Sequence, residues 1–183
     1  MIKSKIKEDL VKQTIARRIG RSMLVVALAG GVVPVAVASP ALAARKATLG
    51  PYGYGNLKLG MTASKAKATG RIVHKSVGDS ARCTGWDLKE NPYGNYRVGM
   101  YISKKHGVSM IVAPPGLKTP QGIRLGSSKA QLKAAYPGLR RGPGGYPTAT
   151  VPGNKAAFYM FYVSDNKVSG LSLVLAEQDC VRY

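Results

Sequence analysis

A twelve-residue pattern in this chain occurs twice. Leu57-Lys58-Leu59-Gly60-Met61-Thr62-Ala63-Ser64-Lys65-Ala66-Lys67-Ala68 aligns with Ile123-Arg124-Leu125-Gly126-Ser127-Ser128-Lys129-Ala130-Gln131-Leu132-Lys133-Ala134 at an offset of 66, with four identities and three conservative changes. In each copy a short alternating strand meets glycine, Thr62 or Ser128 offers an N-cap, and helix formers follow. Tyr136-Pro137-Gly138 terminates the second helix. Beyond each helix lies a pair of β-rich stretches with turn residues between them. Tyr96–Ser103 and Val108–Ala113 flank Lys104-Lys105-His106-Gly107, and Ala156–Val163 and Val168–Ala176 flank Ser164-Asp165-Asn166-Lys167. Both pairs read as hairpins. Tyr101-Ile102-Ser103 and Tyr162-Val163-Ser164 match again, at an offset of 61. The same order of strand, glycine, helix and hairpin, met twice, is a repeat signature.

The expected fold is α+β, with two tandem repeats that each pack a short helical segment on an antiparallel β-meander. The first repeat spans 44–113 and the second 121–183, joined by a Pro- and Gly-containing linker at 114–120 that reads as short and stiff. A unit of roughly 65 residues buries little surface alone, so the two should pack together. Hydrophobic residues at 45% of the chain are enough for such a core.

Residues 1–43 read as a signal peptide. Seven Lys and Arg precede an almost uncharged run from Ser22 to Val37, and Ala41-Leu42-Ala43 fits a small-x-small cleavage pattern, placing the cut between Ala43 and Ala44. The apolar run falls short of the ~20 residues that span a bilayer, and it carries Gly30, Gly31 and Pro34. The mature chain, 140 residues long, keeps 21 basic and 6 acidic residues. Its charge of +15 bears on solubility and partners rather than on fold.

A strand ending in Gly60-Met61-Thr62, then a short helix and a meander, in two copies on a secreted chain, resembles the bacterial β-lactamase inhibitor protein family. Single copies of the unit resemble small outer-membrane assembly lipoproteins, and the whole chain is similar to small secreted Gram-positive proteins without assigned activity. The inhibitor likeness implies a helical pair against a four-stranded antiparallel sheet in each copy, with the sheets forming a concave binding face. It also implies a disulfide within each copy. Here Cys83 falls in one copy and Cys180 in the other, so that pattern does not carry over and neither does inhibitory specificity.

Catalytic chemistry finds no footing in the sequence. Ser64-Lys65-Ala66-Lys67, Ser164-Asp165-Asn166 and Lys118-Thr119-Pro120 approximate penicillin-binding motifs, but the order is wrong and proline replaces the glycine of the third. Cys83 with His74 or His106 would make a thiol dyad. In a secreted chain with two cysteines, a single Cys83–Cys180 disulfide is the stronger reading. Asp79, Asp87, Glu90, Asp165, Glu177 and Asp179 form no readable acid–base pair, and two His and two Cys do not complete a four-ligand zinc site. No enzyme activity, metal or cofactor is expected.

The expected function is that of a secreted binding protein, an inhibitor among the options, which grips an extracellular protein through its sheet face. The alternatives are a cationic envelope protein held to anionic wall polymer or lipid, and a small secreted hydrolase. Contact with a membrane surface fits the charge, a nucleic-acid target does not fit secretion, and a monomer is expected. Strand alternation puts Val98, Met100 and Ile102 on the core side of the first hairpin, as it does Tyr159, Phe161 and Val163 in the second. Tyr101 and Tyr162, with Arg97 nearby, then project from the open face as contact residues.

Overall fold

The computed structural model describes residues 48–181, which belong to one compact unit. The signal peptide expected at 1–43 and its expected cut between Ala43 and Ala44 lie outside the described residues. Among those residues no helix is long and apolar enough to cross a membrane.

Among the described residues the fold is mixed, with two sheets and two short α-helices. A small meander opens it: β1 (Leu49–Gly50), β2 (Gly53–Tyr54) and β3 (Leu57–Lys58), paired antiparallel in that order. The segment Pro51–Gly55 holds a strand, because Leu49 and Leu57 are driven fully into the core on either side of it. Helix α1 (Ala63–Ala68) starts where the Thr62 hydroxyl accepts from the Lys65 amide. Helix α2 (Lys129–Ala135) starts at Ser128, whose hydroxyl accepts from the Gln131 amide while Gln131 accepts from the Ser128 amide. Each six- or seven-residue helix is marginal alone and is held by one buried apolar residue, Ala66 or Leu132.

The main sheet has eight strands. After α1 come β4 (Ile72–Lys75), β5 (Cys83–Leu88), β6 (Met100–Ser103) and β7 (Gly107–Val112). After α2 come β8 (Arg140–Arg141), β9 (Pro147–Val151), β10 (Asn154–Ser164) and β11 (Lys167–Leu175). Their order across the sheet is β4-β5-β6-β7-β11-β10-β9-β8, all antiparallel. Each set runs from an outer edge to the centre, and the two meet where Leu173 pairs with Ile111. One helix, not a pair, accompanies each set.

Two sequence expectations are corrected. Tyr96–Gly99 is not strand: the chain folds back there and enters β6 only at Met100. Ile123–Leu125 makes only an isolated bridge, Arg124 to Lys118, because Thr119 turns the chain back on itself by accepting from Ile123. The connecting segment 114–120 packs against the fold, with Leu117 and Thr119 buried.

The two hairpin turns follow their residues. Asp165 and Asn166 both take positive φ, 51° and 58°, between paired Ser164 and Lys167, which is the two-residue turn that matches strand twist. Gly107 has φ 72°, and a Cβ there would stand 2.5 Å from the carbonyl oxygens of Gly60 and Met61. That approach lets Val108 exchange main-chain bonds with Gly60 and Met61, seating α1's leading segment on the sheet.

The principal core lies on the helix-covered face, where Leu49, Leu132, Tyr136, Tyr159, Phe161 and Leu173 pack together. A second, smaller cluster of Met110, Met160 and Val174 occupies the opposite face, flanked by Tyr101, Phe158, Tyr162 and Val181.

Candidate functional site

Alternation along β10 and β11 sorts side chains between these faces. Tyr159 and Phe161 enter the principal core, while Met160 and Tyr162 point the other way. On β6, Met100 and Ile102 are core and Tyr101 joins the second cluster. Val98, expected in the core, instead lines the open side, because it lies in the fold-back before β6.

The open face carries a groove of about 910 Å³. Tyr101, Tyr162 and Arg97, the three contact residues proposed from sequence, all line it, joined by Tyr93 and Tyr96. Its floor includes Met110, Val112 and Ser172. Tyr162 lies across its cross-strand partner Gly170, where a Cβ would come within 2.8 Å of the ring, and it tilts against Tyr146 with centroids 4.6 Å apart. Burial holds the Tyr162 phenol above its ordinary pKa, with Tyr146 adding to the rise and the nearby Arg97 charge opposing it. Tyr96 stands almost wholly in solvent, 91% exposed.

One wall of the groove is the 89–99 loop, and a buried ion pair shapes it. Lys75 Nζ donates to the carbonyls of Tyr93, Gly94 and Arg97, each at 2.7 Å, and stands 3.1 Å from Asp87. Asp87, 1% exposed, accepts from the Tyr93 amide at 2.8 Å and the Gly99 amide at 2.7 Å. Every strong group in this clasp is satisfied, as a buried charge requires. Sequence reading missed it. Its signal was an aspartate set between Trp86 and Leu88 in an otherwise apolar strand.

The segment after β11 also crosses this face. Cys83 and Cys180 stand at disulfide distance, with Cα atoms 5.5 Å apart, joining the start of β5 to this segment. Ser109 Oγ lies 3.2 Å from Cys180 Sγ, and Val181 reaches the groove. A hydrogen bond from Ser103 keeps the Asp179 carboxyl below its ordinary pKa, helped by the His106 and Arg82 charges.

The remaining candidates are tied elsewhere. His74 pairs with Asp79 at 3.0 Å, and Arg71 pairs with Glu90. A hydrogen bond from the Gly85 amide, with His74 behind it, holds the Asp79 carboxyl below its ordinary value. The structure does not bring the penicillin-binding-like fragments together: Ser64 sits on α1, Ser164 at the β10–β11 turn, and Thr119 is buried in the connecting segment. Among the described residues, the Cys83, Asp179 and Cys180 grouping is close enough for a metal ion, but its sulfurs bond each other. Of the basic residues, Arg71 and Lys75 are engaged in pairs, whereas Lys65, Lys67, Lys104, Lys105, Lys129, Lys133, Arg140 and Arg141 are exposed. The chain matches no family model, no curated protein and no solved structure.

Proposed function

We propose that this is a secreted, non-enzymatic binding protein that grips an extracellular protein partner with the open face of its sheet, inhibition being one consequence of that grip. The observation that carries the reading is the groove, where four tyrosines and Arg97 surround an apolar floor on a rigid sheet. Tyrosine offers contact area and a hydroxyl at low rotamer cost, and aromatic and Arg anchors dominate interface energetics. The strand order supports two tandem copies joined edge to edge, as the likeness to the inhibitor family implies. One helix per four strands, and a disulfide that links the copies, depart from that family. The non-enzymatic reading draws support from His74, Asp79, Glu90 and Asp87, each held in a structural pair.

The test is affinity capture from the producing organism's secreted and wall fractions, at low and high salt, with the natural chain and a Tyr101→Ala/Tyr162→Ala variant. A partner retained at high salt and lost with the variant supports the reading. A second reading, an envelope protein held to anionic wall polymer or lipid, is favoured by the eight exposed Lys and Arg residues named above. It expects salt to strip the protein from cells and the tyrosine variant to bind normally.

A further inference from the structure

We propose that the groove takes an acidic peptide segment of the partner, an apolar side chain resting against Tyr101 and Tyr162 while a neighbouring carboxylate pairs with Arg97. This rests on the sheet-face reading and assigns the chemistry of what binds there. Three independent features of the groove converge on it.

The first is charge. No Asp or Glu lines the groove, and Arg97 on its wall pairs with no carboxylate among the described residues. The clasp of Lys75 fixes the main chain at Arg97 itself, so the guanidinium is presented from a held backbone and less ordering is left for binding. The charge of +15 on the secreted chain strengthens the attraction for acidic segments at a distance.

The second is an orphan hydroxyl. Ser172 Oγ is the buried side-chain polar atom without a hydrogen-bond partner among the described residues, and it belongs to the groove floor. Leu171 and Leu173 on either side of it face the principal core, so Ser172 faces the open side. An unpartnered buried hydroxyl destabilises the free protein and is the kind of exception that asks for an explanation. A ligand acceptor reaching it after the side chains above shift would satisfy it. Tyr93, Tyr96, Tyr101 and Tyr162 place four further phenol groups around the same groove.

The third is the floor. Met110 and Val112 give an apolar surface, and methionine adapts its shape to what lies on it. An aliphatic or aromatic side chain fills such a floor. An anionic wall polymer brings charge but nothing apolar, so the floor favours peptide over such a polymer.

The experiment uses the full secreted chain and synthetic peptides with a central Leu or Phe flanked by Asp and Glu, an isosteric Asn and Gln series, and inorganic polyphosphate as an anion without an apolar group. Titration calorimetry is expected to show the acidic series binding about tenfold tighter than the amide series, the scale of one charge-assisted hydrogen bond. Arg97→Gln, on an exposed loop position, removes that advantage. Ser172→Ala lowers affinity severalfold while its melting temperature stays equal or rises, which a merely structural serine would not do. Equal affinity for the two peptide series, an advantage that survives Arg97→Gln, polyphosphate binding as tightly as the acidic peptides, or no peptide binding at all overturns the proposal. If the two series bind equally and both are lost with Tyr101→Ala/Tyr162→Ala, the acidic assignment falls and the sheet-face reading stands. If captured partner is also retained by that variant, both fall.

Discussion

The two faces of the eight-stranded sheet are made from alternate residues of the same strands, yet they are finished differently. On the covered face Tyr159 is fully buried and its hydroxyl donates to the Leu49 carbonyl at 2.7 Å, and Tyr136 donates to Gln121 at 2.7 Å. Burial drives both phenols upward, Tyr136 to about 12, so both remain neutral donors at any physiological pH. Three residues beyond Tyr159 on β10, Tyr162 lies half-buried with its ring over Gly170 and no partner for its hydroxyl among the described residues. Tyrosine is therefore core on one side and groove lining on the other. What separates the two roles is whether the polar tip is satisfied from within.

The largest blow to this arrangement comes through the segment that crosses the open face. Replacing both Cys83 and Cys180 by Ala frees a loop of 97 residues and should cost roughly 4–5 kcal/mol on the loop-entropy account. Urea unfolding of the natural and double-variant chains measures it. A loss close to zero would show that the open face needs no staple, and the contrast between the faces would then rest on packing alone.

Next come paired substitutions on adjacent residues. Phe161→Ala empties a fully buried ring site against Tyr136 and should cost about 4 kcal/mol. Tyr162→Ala, facing the groove, should cost about 1 kcal/mol because much of the vacated space opens to water. Similar losses at both sites in denaturant melts would erase the distinction drawn between the faces.

The clasp gives an intermediate effect. Asp87→Asn leaves Lys75 beside a neutral amide and breaks one of two main-chain bonds, at a cost of about 2–3 kcal/mol, less than for a fully dry pair because Lys75 keeps some solvent contact. Hydrogen exchange at the Tyr93 and Gly99 amides should quicken more than exchange in β10, since the loop loosens before the sheet. Uniform acceleration would mean that the pair holds the whole fold and not the groove wall.

Much of this was legible in the sequence, for reasons that are local. Thr62 and Ser128 announce both helix starts, Asp165-Asn166 announces a tight hairpin, and the alternation of Tyr159, Phe161 and Tyr162 assigns their faces. What was not legible depends on distant partners. Strands β5, β8 and β9 went unread, because β8 is two residues long, β9 begins at Pro147, and β5 is interrupted by Gly85. Arg97 reaches the groove from a loop rather than a strand, since Lys75 and Asp87, which hold it there, meet only when β4 pairs with β5. Ser172 looked like any strand serine. Only the packed sheet shows that nothing satisfies it.

The smallest stability effect belongs to the residue on which the functional reading leans most. Tyr101 is half-buried, packs with the second cluster, and pairs across the strands with Gly85 and Met110, so Tyr101→Ala removes ring contacts without opening a sealed cavity. A change of about 1 kcal/mol or less is expected, small beside the fully buried Phe161 site. Binding should respond the other way, because a central aromatic anchor commonly carries about 2 kcal/mol or more of an interface, equivalent to a weakening of roughly thirtyfold. Thermal melts and partner titration on the same preparation separate the two quantities. A large ratio of binding loss to stability loss marks Tyr101 as a contact residue. Parallel losses would move it to the core and leave the groove without its central ring.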